Sequence, residues 1–335
     1  MSYNNKKPKK MGGNLFKLGR LPKAQYQVLE AEIKQYLQEK LPNQYHIPRY
    51  YADKADFGDI DVIVSVADKK ADWRTLQNDI ATDLNLQEYK STGAIFSTVY
   101  KDFQVDYFCV APKYLESTYH YLSFNDIGNL IGKIFKRFNL KYGEKGLEYV
   151  FRRADNHYKK EISISRDFEE IYGFLGLDYE QWQKGFQSRT EMFEWVIASP
   201  YFSVVPYQKM SANTAKKARN RATMQRFLAY IDTENITKIY DFLEDKDDYL
   251  PFIDTEFPEA KLLEKIAKEQ GQEKYVAALK TKYNGRIIMD LLPHLKGKDL
   301  GKFMTSFQAQ FKDYEQALSK MTKEEIAEKI VSYSQ

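Results

Sequence analysis

Gly58-Asp59-Ile60-Asp61-Val62-Ile63-Val64 is the stretch that decides how this chain is read. In an extended strand successive side chains point to opposite faces. Asp59 and Asp61 therefore leave one face together, and Ile60, Val62 and Val64 leave the other. Two carboxylates about 7 Å apart along a strand repel each other, and beside an apolar run they are costly to desolvate. A bound divalent cation removes both penalties. Mg²⁺, with Mn²⁺ as an alternative, suits the arrangement because it takes a few carboxylates and completes its shell with water and phosphate oxygens. The bland alternative is a pair of turn-capping or surface acids.

Working outward, a third acid joins the pair. Asp106 lies in Phe103–Val110 (FQVDYFCV) among apolar and aromatic neighbours, an odd setting for a surface carboxylate. Ile95 to Tyr100 and Phe103 to Val110 flank Lys101-Asp102, so the spacing predicts a hairpin with a two-residue connection. Two acids from one strand and one from a neighbour are what a two-metal phosphoryl-transfer site requires. Apolar spacing predicts helices over 24–41 and 73–86, and a strand is expected over 44–51, with Pro112 closing the β-rich part. Beyond it the pattern reads as helical throughout. Segments are expected near 125–139, 143–153, 167–174, 179–184, 190–198, 212–230, 259–269, 272–283, 285–295, 298–318 and 323–333. Thr322 and Glu325 form a capping-box pattern for the last. The expected fold class is α+β, a small mixed-sheet head followed by a mostly α-helical body.

Composition narrows the classes. The 335 residues are 43% hydrophobic and include 26 Tyr and 21 Phe, enough for a sizeable core in two or three domains. Cys109 is the only cysteine, which excludes an intramolecular disulfide and a cysteine-based zinc cluster; it reads as a small buried filler. No apolar run approaches the roughly 20 residues of a membrane span, and the first ten residues lack the apolar core of a secretory signal. A cytoplasmic, reducing location with no membrane partner is the expectation. The formal charge of +4 conceals segregation. Residues 1–23 carry seven Lys/Arg and no acid, and residues 204–230 carry six and no acid. Residues 232–259 then carry ten acids against two lysines. Basic blocks of this kind fit a polyphosphate-binding surface, and Lys216, Lys217, Arg219 and Arg221 are the candidate nucleic-acid contacts. The alternative is a solvated helix pairing with the acids behind it.

At Asp59, Asp61 and Asp106 the chain resembles the DNA polymerase beta-like nucleotidyltransferase superfamily. The resemblance covers roughly residues 45 to 150. It implies a palm-type head and a catalytic, metal-binding role for the three acids, with two Mg²⁺ ions. It extends into VAPKYLESTYHYLSFNDIGNLIGKIFKRF (residues 110–138), where it implies nucleotide contacts by Tyr121, Asp126 and Asn129, with Lys133 a turn further on. The superfamily carries Gly-Ser about ten residues before the first acid. Here that stretch is RYYADKADF (residues 49–57), so Lys54, followed by Gly58, takes the phosphate-holding slot, with Gly12-Gly13-Asn14 as another candidate cradle. The last helices are similar in rhythm to those of CCA-adding enzymes and bacterial poly(A) polymerases.

These readings together predict a basic tail over 1–10, a nucleotidyltransferase domain over 11–115, a helical nucleotide- and acceptor-binding region over 116–205 and a C-terminal helical domain over 206–335. The expected activity is metal-dependent transfer of a nucleoside monophosphate from a nucleoside triphosphate to a hydroxyl, with a nucleic-acid 3′ end as acceptor and pyrophosphate as product. A catalytically silent relative that binds nucleic acid or a protein is the alternative. Nucleotidylation of a small molecule or protein is the third option.

Overall fold

The paired-acid strand lies inside a five-stranded sheet. The structure, a computed structural model, describes residues 15–68, 70–125, 127–152, 159–210, 212–219 and 221–334. Its first part runs β1 (Leu21–Pro22), α1 (Lys23–Lys40), β2 (Tyr45–His46), β3 (Asp56–Phe57), β4 (Ile60–Ser65), α2 (Ala71–Asp83), β5 (Tyr89–Thr92), β6 (Ile95–Tyr100) and β7 (Phe103–Val110). The sheet order is β2-β4-β7-β6-β5. β4 and β7 are parallel and the other pairs antiparallel, so the sheet is mixed. The strand expected over 44–51 is reduced to Tyr45–His46, because Pro48 has no N–H to continue a ladder. Lys101 and Asp102 both adopt positive φ, at 49° and 59°, the geometry of the two-residue turn whose twist matches the strands it joins.

Strand alternation sorts the two faces of the sheet. Ile60, Val62 and Val64 of β4 and Phe103, Val105, Tyr107 and Cys109 of β7 are buried against Ile33 and Leu37 of α1 and Trp73, Leu76 and Ile80 of α2. At roughly 1.5–3 kcal/mol per fully buried large side chain, this layer is ample to hold the strands in register. On the opposite face Ile63 and Val110 meet Leu115, Tyr119 and Leu122 of the next helix, α3 (Leu115–Leu122). That face also carries the acids.

Beyond α3 come α4 (Ile127–Phe135), β8 (Leu140–Gly143), β9 (Gly146–Arg152) and β10 (Lys159–Ser165). The last three form a sheet of their own in the order β10-β9-β8, which corrects the expected helix over 143–153. Leu147, Tyr149 and Phe151, and then Ile162 and Ile164, are buried at a period of two. Gly146, at φ +89°, turns β8 into β9 where a Cβ would lie 2.6 Å from the Ser165 carbonyl oxygen. Then follow α5 (Phe168–Phe174), α6 (Tyr179–Lys184), α7 (Arg189–Ala198), α8 (Val205–Gln208), α9 (Ala212–Arg219), α10 (Ala222–Thr233) and α11 (Leu250–Glu256). The helix expected over 212–230 is thus two helices, broken where Arg221 is extended (φ −110°, ψ 107°).

The described chain divides into two compact units. One runs to Val150 and resumes from Glu161 to Ala260; the other takes Phe151–Lys160 and everything from Lys261 on. The boundaries expected after residues 115 and 205 both fall inside the first unit; at the first of them α3 packs on β4 and β7. The second unit holds α12 (Leu262–Lys282), α13 (Gly285–Leu291), α14 (Gly297–Gln308), α15 (Tyr314–Ser319) and α16 (Lys323–Tyr333) around Ile288, Phe307, Leu318, Ile326 and Ile330. Two expected helices merge in α12, since a single helical glycine, Gly271, costs only about 1 kcal/mol. One expected helix splits into α14 and α15, where Asp313 caps the second. The capping box of Thr322 and Glu325 is present. No described helix is long and apolar enough to cross a membrane.

Candidate metal centre

Parallel pairing of β4 with β7 sets Asp61 directly beside Asp106, and Asp59 stands two residues before Asp61. Neighbouring residues in register point to the same face. One ligand oxygen from each of Asp59, Asp61 and Asp106 lies within 4.8 Å of the other two. At an effective dielectric of about 20, unit charges at that separation repel by about 3.5 kcal/mol per pair. Such a cluster of like charges, partly shielded from water, is suited to holding a metal ion.

The surroundings sharpen the case. Asp106 is 3% exposed. Its Oδ2 accepts a hydrogen bond from Gln104 Nε2 at 2.9 Å, whereas its Oδ1 is buried without a partner. Burial pushes the Asp106 carboxyl above the ordinary carboxylate range, against the hydrogen bonds of Ser97 and Gln104. Asp61 is held well above that range, first by burial and then by the charges of Asp59 and Asp106. A buried carboxylate oxygen with no donor is one that a cation can satisfy.

Lys54 stands across from the pair. It shares with Asp59 and Asp61 a cleft of about 240 Å³ that Tyr26, Phe57 and Asn125 also line. Its Nζ donates to Asn125 Oδ1 at 3.1 Å and sits 4.2 Å from the centre of the Phe57 ring. Burial lowers its pKa, and the charges of Asp59 and Asp61 oppose that shift. Of the slot over residues 50–57, Tyr50, Lys54 and Phe57 line this cleft. Gly58, half-buried, joins β3 to β4 directly ahead of Asp59.

The other candidate residues are grouped elsewhere. Tyr121, Asn129 and Lys133 line a second cavity of about 480 Å³ that contains none of the three acids. Tyr121 Oη donates to Asn129 Oδ1 at 3.4 Å, and Lys133 Nζ donates to the Pro206 carbonyl oxygen at 3.2 Å. Asp126, Gly12-Gly13-Asn14, the tail over 1–10 and the side chain of Lys217 lie outside the described residues. Lys216 and Arg219 are exposed on α9, whereas Arg221 lines the second cavity with Lys209. Sequence reasoning missed Lys136, Arg137 and Lys246 in that cavity, and Ser97, Gln104 and Asn125 around the acids. Lys133, Lys136 and Arg137 are spaced i, i+3, i+4, a helical-face pattern that was there to be read. No protein-family model matches the chain, and no curated protein is significantly similar to it.

Proposed function

We propose that the protein is a metal-dependent nucleotidyltransferase of the polymerase beta-like kind, acting on a hydroxyl acceptor with a nucleoside triphosphate as donor. The observation that carries this reading is the convergence of Asp59, Asp61 and Asp106 on two neighbouring parallel strands, with a half-buried lysine in the same cleft as the first two. Asp59, Asp61 and Asp106 would hold the metal, with Mg²⁺ or Mn²⁺ the fitting ions. A divalent cation bound there supplies charge neutralisation at the phosphoryl oxygens and makes a hydroxyl more acidic.

The chain's own residues do the rest. Lys54 holds the triphosphate on the side opposite the acids. Asp106, whose Oδ1 has no donor among the described residues, takes the proton of the attacking hydroxyl. The hydroxyl oxygen bonds to the α-phosphorus as the bond from that phosphorus to the bridging oxygen breaks, and pyrophosphate leaves with that electron pair. A second reading, binding of nucleic acid or protein without catalysis, draws on the lack of Gly-Ser before Asp59.

Incubation with each labelled nucleoside and deoxynucleoside triphosphate separates the two readings. The assay uses Mg²⁺ or Mn²⁺ and single-stranded, duplex and tRNA acceptors. Transfer that disappears in Asp61→Asn supports the first; labelled acceptor from no combination leaves the second.

A further inference from the structure

The second cavity, between α4 and α8–α10, is built from positive charge. Lys133, Lys136, Arg137, Lys209, Arg221 and Lys246 line it, and among the described residues no Asp or Glu does. They come from three separate stretches of chain, so their convergence is a property of the fold rather than of one charge run. Among the described residues, Lys133, Lys136, Arg137, Lys209 and Lys246 make no ion pair. The nitrogens of Lys133 and Lys246 donate instead to the backbone oxygens of Pro206 and Lys136. Among the described residues Arg137 Nε is buried with no hydrogen-bond partner, while its guanidinium lies 4.9 Å from the centre of the Phe242 ring. A buried donor left unmade costs about 1–3 kcal/mol unless a ligand satisfies it.

The crowding is also felt by the lysines. Burial and then Lys136 lower the Lys133 ammonium, and burial, Arg137 and Lys136 lower that of Lys246. The acids of residues 232–259 do not line this cavity; that segment contributes Lys246 to it instead, and its Asp247 is bound by Asn139 and Tyr149.

We propose that this cavity is a phosphate-binding site, distinct in its lining from the acid cleft, that takes the backbone phosphates of a single-stranded nucleic acid. Lys136 and Lys209, both exposed, stand at its rim, and the half-buried Lys133, Arg137 and Lys246 line it with them. Tyr121 and Met210, both half-buried, give the same cavity apolar surface against which a base can rest. The assignment deepens the nucleotidyltransferase reading by naming where the acceptor strand is held, and rests on it only for the word acceptor.

The test is fluorescence anisotropy of end-labelled single-stranded RNA and DNA in EDTA, over a range of salt, with inorganic triphosphate as a competing ligand. Lys136→Glu/Lys209→Glu changes two exposed side chains, so the fold is expected to survive, and circular dichroism checks it. The double variant should bind the strand at least about tenfold more weakly. The slope of log affinity against log salt should flatten by about 1.4, since each contact with a single strand contributes about 0.7. Affinity and slope equal to wild type overturn the proposal. So does weaker binding of triphosphate with strand binding intact, which would make the site one for a free polyphosphate. Asp61→Asn serves as the control: it should bind the strand as wild type does while losing transfer. If it still transfers, the catalytic reading fails and the strand site stands.

Discussion

Asp106 shows how much physical content one side chain can carry. A carboxylate placed mid-strand, 3% exposed, with Gln104 bonded to one oxygen and no described residue bonded to the other, is destabilising for the free protein. Asp61 sits beside it with its own carboxyl held up by burial and by like charge. Removing one charge relieves that repulsion, so Asp61→Asn should raise the melting temperature in EDTA by a few degrees, the effect of about 1–2 kcal/mol on a unit of this size. Wild type should gain stability from Mn²⁺ and the variant should not; differential scanning fluorimetry reads both. Lys54→Ala should raise the KM for nucleotide with little change in kcat, because the ammonium faces the acids from across the cleft; an unchanged KM counts against its role. His120 gives a pH prediction of known sign. Its ring lies between Phe168, at 3.6 Å, and Trp182, at 4.2 Å, and burial lowers its pKa to about 4. Its Nδ1–H donates to the Glu116 carbonyl oxygen, which leaves Nε2 to accept from Tyr179. Because the folded pKa lies below the unfolded one, the stability from neutral His120 is complete above about pH 6.5. It is lost as pH falls from there through about 4, by roughly 3 kcal/mol in all. Denaturant melts at pH 7 and pH 5 should differ less for His120→Phe than for wild type.

At the scale of elements, the parts of the fold carried by short-range pattern were legible and the parts carried by competition were not. The 95–110 hairpin followed from two apolar runs around a two-residue gap, and the helix over 24–41 from its apolar spacing. Gly146-Leu147-Glu148-Tyr149-Val150-Phe151 reads as a helix if its apolar residues are merely counted. It is a strand because alternation and the Gly146 turn outweigh local helix preference. Likewise Gly271 does not break α12, since the helices' shared core outweighs one glycine. The hairpin makes its own prediction. Lys101 and Asp102 hold positive φ, which a lysine does poorly and an Asn-Gly pair does well. Replacing the two with Asn-Gly should stabilise the protein by about 0.5–1 kcal/mol in urea melts, with the slope unchanged.

For the whole molecule, the acid centre was readable because two acids share a strand and the third lies in the next hairpin, within 50 residues. The cationic cavity was not, because Lys133, Lys209 and Lys246 meet only through the packing of α4, α8, α10 and the segment before α11. A different contact, α3 against β4 and β7, joins the region after residue 115 to the sheet. The central claim is that Asp59, Asp61 and Asp106 act together as a divalent-metal centre. Mn²⁺ titration followed by electron paramagnetic resonance tests it most directly, with a nucleoside triphosphate present and absent. Wild type should remove free Mn²⁺ from solution, more strongly with nucleotide, and Asp59→Asn, Asp61→Asn and Asp106→Asn should each weaken that binding at least about tenfold, the loss of about 1.4 kcal/mol or more. Binding in the three variants as tight as in wild type, or no binding by wild type under either condition, would contradict it.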